Sequence, residues 1–542
     1  MKSIRCALIS QVFLIALFGI AQALEIPVFP GAEGFGTTTP AGRGGRIITV
    51  TTLNASGPGS LKEAVNQSGP RTIVFEVGGI IDLRATGSCR YIDIENPYCT
   101  IAGQTAPYPG ITLIGSGIGI YTHDVLVQHL TIRPGDHTIG SGSCRDCFIF
   151  MGNSSEHAEN IVVDHCSMSW STDKIIIAWT RGQPETHDIT VSNCIMSEAL
   201  HCAYLHKEKC HSKGFLIGDF SQRITLKTSL MAHNYDRNPS MKGGSMSQVV
   251  NNVVYNPGVV AMVCTGSSFE GDTMVQASIV GNVLKSGIKT ALLYDALAGL
   301  YLADHPESKF YMHDNLGDSN YWAPLKIYAG HIPDQVSPEL FVPTPQEAVW
   351  CEPMTVMQSG EVMDYVLANA GSRPAETNDI DARIINEVQT TTGTIIDHID
   401  QVGGWPEYEP TRHELVIPDN PEGDDDADGY TNCEEWLHTL AAELEQPRDL
   451  SSLNSRHRKG PTPRQISRAQ PITVQGNRII ITPPDLSGPG SVRVYAMSGR
   501  LVAARTIGTT HPVMIDNLSA GVYCLKGVFA GKTVQERIKI AY

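Results

Sequence analysis

From about residue 25 to 345 the chain is a succession of short β-branched runs, each broken by Gly, Asn, Asp or Pro, and no amphipathic helical stretch of any length interrupts them. Several runs align on one another: IVVDHCSMS (161–169), ITVSNCIMS (189–197), ITLKTSLMA (224–232), QVVNNVVY (248–255), ASIVGNVLK (277–285) and KFYMHDNLG (309–317). The alignment stacks Cys166, Cys194, Ser229, Asn252, Asn282 and Asn315 in one column, spaced by 28, 35, 23, 30 and 33 residues. A recurring but irregular period predicts a solenoid with a minimum coil near 23 residues and loops of variable length. Small polar residues stacked at a coil's bend can form a hydrogen-bonded ladder. A β-sandwich would want evenly spaced hairpins, and the two-residue turns that mark them are scarce. The expected fold is therefore all-β, a right-handed parallel β-helix over residues 24–345.

Between 346 and 445 the periodicity changes. EVMDYVLANAG (361–371) and DIDARIINEVQ (379–389) have helical spacing. Next comes an acidic loop in which Asp424, Asp426, Asp428, Gly429, Tyr430, Asn432 and Glu435 fit D-x-D-x-D-G-x5-E. Oxygen donors at alternate positions with Gly at the tight sixth place describe an EF-hand-like calcium loop, the bland alternative being a solvated acidic run. Lacking an obvious second loop, it reads as a structural clamp. Residues 446–470 are Pro- and Ser-rich and locally basic (Arg448, Arg456, Arg458, Lys459, Arg464, Arg468), which reads as a solvated tether. Residues 471–542 alternate apolar and polar positions, as in SVRVYAMSGRLVAA (491–504), and predict a small β-sandwich.

The first 23 residues read as a signal peptide: Lys2 and Arg5, an apolar run from Cys6 to Ile20, then Ala21-Gln22-Ala23. That run is too short to span a bilayer, and nothing later is more apolar. Thirteen cysteines, twelve without the leader, suit an oxidising compartment. A formal charge of −16 argues against nucleic acid as partner. An acidic protein binds a polyanion only through a local cationic groove or a bridging metal.

The candidate chemistry lies in 129–244, in Asp146, Asp164, Asp173, Lys213, Arg237 and Lys242. Each alone is unremarkable. Equivalent positions on neighbouring coils lie about 4.8 Å apart, so residues distant in sequence can line one groove. Carboxylates and cations in such a groove would bind calcium and an anionic sugar chain together. His201, Cys202, His206, Cys210 and His211 crowd an insertion whose spacing matches no zinc finger, so a disulfide-tied loop is expected there. Cys144 and Cys147 form a C-x-x-C without a thioredoxin-like context, so a structural role is expected.

The chain resembles the pectate lyases of polysaccharide lyase family 1 from Phe29 to about residue 440. The resemblance rests on FPGAEGFG (29–36), GRGG (42–45), LNASGPGSLKEAV (53–65), IAGQTAPYPGITL (101–113), IRPGD (132–136), VDHCSMSWSTD (163–173), RNP (237–239), VLANAG (366–371) and VGGWP (402–406). It implies calcium-assisted β-elimination of polygalacturonate by a secreted, monomeric enzyme that needs no membrane span. By the same resemblance Arg237, in R-x-P-x-x-K, is the base that removes the C5 proton. Lys242 stands where the family has a second Arg, Lys213 binds substrate, and Asp146 and Asp173 bind calcium, with Asp164 supporting them. Where the family commonly reads STDE, this chain has Lys174, which would weaken metal binding. An arginine base implies an alkaline optimum. VYAMSGRLV (494–502) and AGVYCLKG (520–527) resemble C-terminal sorting domains of type IX secretion. Three rival readings stand beside the lyase: a polygalacturonase, whose paired-carboxylate motifs are missing; a pectin lyase; and a noncatalytic carbohydrate-binding β-helix.

Overall fold

The aligned runs become strands, and each coil carries three of them. A computed structural model describes residues 26–453 except 87–89, 137–145, 153–155, 181–185, 205–209, 266–272, 291–299, 302–304, 318–337 and 452, together with the strands of a C-terminal unit between 472 and 540. The expected leader, most of the tether, Cys144 and His206 lie outside the described residues. Three long parallel sheets wind around one axis, making a parallel β-helix. The outer sheet has ten strands, from Arg46–Val50 to Lys309–His313; the site sheet has eight, from Ile92–Ile94 to Leu300–Tyr301. In the third sheet, nine parallel strands run from Val77–Asp82 to Leu316–Gly317, and the short strand Thr411–Arg412 pairs antiparallel with the first of them.

The register reproduces the spacings read from the sequence: Ile161 pairs with Ile189, Ile189 with Ile224, Ile224 with Ser247, Ser247 with Ala277 and Ala277 with Phe310. Inward-facing Ile, Val, Leu and Phe from all three sheets fill a continuous core, with Phe75, Phe148, Phe150 and Phe215 wholly buried. The column of small polar residues forms the expected ladder at the bend between outer and third sheets. Cys194 N–H donates to Ser229 Oγ at 3.0 Å, Ser229 N–H to Asn252 Oδ1 at 2.9 Å, Asn252 N–H to Asn282 Oδ1 at 3.0 Å and Asn282 N–H to Asn315 Oδ1 at 3.1 Å. The residue before each rung (His165, Asn193, Thr228, Asn251, Gly281, Asp314) turns the corner with a positive φ.

One helical turn, Leu61–Val65, interrupts the strand series, capped by Ser60, whose side chain accepts from Glu63 N–H. It is too short to carry a periodic signal. The helices Ser359–Asn369 and Asp379–Thr390 form where helical spacing was expected and cover the third sheet through Val362, Val366, Leu367, Ile384 and Ile385. Several motifs that carry the family resemblance meet there as anchors. Arg133 of IRPGD, fully buried, pairs with Asp381 at 2.9 Å and bonds Ser169 Oγ, while Trp405 of VGGWP donates to the Arg133 carbonyl at 2.9 Å. The tether reading fails at its start. Arg448 is buried and donates to the carbonyls of Leu367 and Ala370, while its own N–H donates to Ala368, which closes the end of the first helix.

The chain divides into two units at Leu453/Asn454. The second contains a three-stranded sheet, Ile472–Gln475, Arg478–Ile481 and Val513–Ile515, and a four-stranded sheet of Gly490–Ala496, Leu501–Ile507, Gly521–Phe529 and Lys532–Ile540, all antiparallel.

Candidate active site

The strands Phe148–Met151, Lys174–Trp179, Lys213–Ile217 and Ser240–Lys242 lie side by side in the site sheet. Their register puts one charged residue from each coil in a row. Phe148 pairs with Ile176, which aligns Asp146 with Lys174; Lys174 pairs with Lys213, and Lys213 bridges to Asp236, next to Arg237. Three coil steps separate Asp146 from Asp236, roughly 14 Å at the usual strand spacing.

At one end of the row Asp146 is buried. Its Oδ1 accepts from Lys174 N–H at 2.8 Å, and its Oδ2 accepts from the Tyr91 hydroxyl at 3.1 Å. Burial, then the negative charge of Asp173, push the Asp146 carboxyl up to about 7. Asp173 is held on both oxygens: Oδ2 by Lys174 Nζ at 2.6 Å, Oδ1 by His211 Nδ1 at 3.1 Å. The two carboxylates repel each other across the row, and Lys174 supplies the compensating charge.

At the other end Lys213 Nζ donates to Asp236 Oδ2 at 2.5 Å, and Arg237 Nε lies 3.6 Å from Asp236 Oδ1. Asp236 therefore spaces two cations. Arg237 has φ +62°, and its carbonyl accepts from Phe215 N–H at 2.7 Å. Gly214 is required beneath it, since a Cβ there would come within 2.5 Å of the Arg237 carbonyl oxygen. Asn234 Nδ2 donates to Asn238 Oδ1 at 3.1 Å and bonds the Met196 carbonyl, which fixes the loop to the previous coil. Lys242 donates to Thr265 Oγ1 at 2.9 Å, and burial, with Arg237 nearby, lowers its pKa. The row thus passes from paired carboxylates to three cations over a few coils.

Asp164 is not brought into this row. It ends the outer-sheet strand Ala158–Asp164 and is saturated there by Ser192, Asn193, Gln128 and His165. A support to the calcium pair is corrected to a corner brace, because the coil turns between it and the site sheet. The sequence reading also missed Tyr91 and Asp236. Asp236 was signalled only by its place beside Arg237, and Tyr91 lies 55 residues before the Asp146 it contacts.

Cys202 and Cys210 form a disulfide, which brings His211 back to His201 through a 2.6 Å backbone bond and on to Asp173. Cys147 is a buried free thiol whose pKa burial raises. In the acidic loop Asp424, Asp426 and Asp428 converge within 4.8 Å. Gly429 N–H donates to Asp424, and Tyr430 N–H to Asp428. Desolvation, with the Asp426, Asp428 and Asp424 charges, raises Glu435. Asn432 instead turns its amide to Asn420 and Asp425. A separate concavity of about 720 Å³, lined by Arg84, Asp136, Tyr204, His398 and Trp405, contains none of the row.

The described residues thus combine a parallel β-helix with a carboxylate pair and a cation cluster on one sheet. No family model matches the chain. It is 30% identical over 449 residues to a probable pectate lyase C of Aspergillus terreus, covering 79% of this chain and 97% of the relative. It is likewise 30% identical over 456 residues to one from Emericella nidulans, covering 79% and 97%. Pectate lyase II from Xanthomonas campestris superposes with a TM-score of 0.41 at 18% identity, over 63% of this chain and 98% of that one. The chain belongs to the pectate lyase family and is a polysaccharide lyase. No helix among the described residues is long and apolar enough to cross a membrane.

Proposed function

We propose that the protein cleaves α-1,4-linked polygalacturonate by calcium-assisted β-elimination. The observation that supports this best is the row itself, with Asp146 and Asp173 at one end and Lys213, Arg237 and Lys242 at the other. Asp146 and Asp173 suit a hard divalent cation: both offer oxygen, and burial beside a second carboxylate leaves Asp146 short of positive charge. Lys174 competes for the same place. Asp146 and Asp173 would hold the calcium, which would supply positive charge to offset the negative charge that develops at the sugar's C6 carboxylate.

Lys213 and Lys242 position the acidic chain through its other carboxylates. Arg237 takes the proton from C5; the C4–O bond breaks, a C4–C5 double bond forms, and the leaving oxygen takes a proton from solvent. Asp236 positions both Lys213 and Arg237. In this reading the 424–435 loop is a second, structural calcium site, the enzyme is exported as a monomer by its leader, and the C-terminal unit is a sorting module.

The test is incubation with polygalacturonate, with and without chelator, following ultraviolet absorbance of the unsaturated product. Absorbance should appear, vanish on chelation and return with calcium. New reducing ends without absorbance would mean a hydrolase. Activity that survives exhaustive chelation on methylated pectin would mean a pectin lyase.

A further inference from the structure

The outer sheet carries a second cluster of chemistry-bearing side chains, on a different sheet from the row. The strands Ala158–Asp164 and Thr186–Ser192 run parallel with Glu159 opposite His187, and His157 lies just before the first of them. His187 Nε2 is 3.0 Å from Glu159 Oε2 and 3.3 Å from His157 Nδ1. The two imidazole planes stand at 84° to each other, and one ligand atom from each of the three residues lies within 4.8 Å of the others. Two ligands about 2.0–2.1 Å from a tetrahedral metal are themselves about 3.3 Å apart. The separations here are already close to that.

The far side of His187 is fixed. Its Nδ1 lies 2.7 Å from Asp188 Oδ2, and Arg223 grips that carboxylate through Nε at 2.6 Å and Nη2 at 2.5 Å. Asp188 is thus placed to accept from Nδ1, and Arg223 Nη2 is also 3.0 Å from that nitrogen. Nε2, on the other side of the ring, faces a carboxylate oxygen and a second imidazole nitrogen. One proton relieves one of these contacts; a metal ion relieves all. A carboxylate behind the imidazole is the arrangement that orients metal-bound histidines.

Other histidine clusters differ. The His165 nitrogen that faces Glu445 is already held by Asp164 at 2.7 Å, and the cysteines beside His201 are tied in a disulfide. Two nitrogens and one carboxylate oxygen suit late first-row divalent metals, not calcium.

We propose that His157, Glu159 and His187 form a transition-metal site of the zinc class, separate from the lyase site, which staples two neighbouring coils and leaves a coordination position open to solvent. The test uses the full chain, stripped by chelator, held in excess calcium to fill oxygen-donor sites, and titrated calorimetrically with zinc chloride. Wild type should bind zinc with an affinity that falls at least roughly tenfold in Asp188→Asn, the usual scale for losing an outer-shell partner. Binding at this site should be lost in His187→Ala and in Glu159→Gln. Lyase activity of every variant should match wild type, which also shows that each has folded. Absence of zinc binding by wild type, or the same isotherm in wild type, His187→Ala and Glu159→Gln, would overturn the assignment.

Discussion

Lys174 puts an ammonium 2.6 Å from Asp173 Oδ2, one of the two carboxylates proposed to hold calcium. It therefore satisfies internally the charge that calcium would otherwise satisfy. Lys174→Glu should lower the calcium concentration for half-maximal rate by at least roughly tenfold, since a hydrogen bond to a charged group is worth about 1.5 kcal/mol or more. A calcium titration of initial rate checks this, and an unchanged midpoint would remove Lys174 as competitor. Arg237 is read as the base, with its backbone pinned by Phe215 and its side chain a third exposed. Arg237→Lys should lose turnover by ~10³, the scale of general-base contributions. The melting temperature should stay close to wild type; near wild-type turnover would reassign the base.

Among the elements, the ladder and the acidic loop hold the coils together in different ways. Asn252 is wholly buried; its oxygen accepts from Ser229 N–H, and its amide donates to Leu226 and Val250 carbonyls and to Asn282. Asn252→Ala removes the partner of the buried Ser229 N–H and should cost roughly 1–3 kcal/mol, read as a lowered unfolding midpoint. The acidic loop leads into the helix Asn432–Leu444, whose Cys433 and Leu437 pack on Val74 and Ala102, while Glu434 pairs with Arg43 at 2.9 Å. The helix thus ties the N-terminal segment to the solenoid. Replacing Asp424 and Glu435 by Ala should lower the melting temperature in calcium by mass action and leave the initial rate at low temperature near wild type. A variant that melts normally yet is inactive would make this loop the catalytic site.

These elements also mark what the sequence could reveal. The ladder was legible because Cys166 to Asn315 recur at the same point of every coil. Asp164 misled because linear order does not say which of three faces of a coil a residue ends on. Tyr91 and Asp236 were hidden because their importance is a contact made across coils, and no spacing encodes it. Arg448 read as solvent-facing because a basic residue in a Pro- and Ser-rich stretch gives no sign of the carbonyls waiting for it.

At the scale of the molecule, Glu445 docks the end of the last helix onto the stacked pair His129 and His165, 3.3 Å from each. Burial lowers His165 and Arg448 opposes its charge, but Asp164 and Glu445 more than offset both and raise its pKa. A raised histidine contributes stability that is full below its unfolded value, about 6.5, and lost as pH rises through the folded value. The melting deficit of Glu445→Gln against wild type should therefore be greatest near pH ~6 and shrink on the alkaline side. A deficit independent of pH would leave Glu445 a packing residue. The row of charges has a consequence of another kind. Its members come from neighbouring turns, which are joined by connections of unequal length. Those connections can lengthen, shorten or be exchanged without moving the charged groups, so the walls around the row can drift while the row itself is inherited intact.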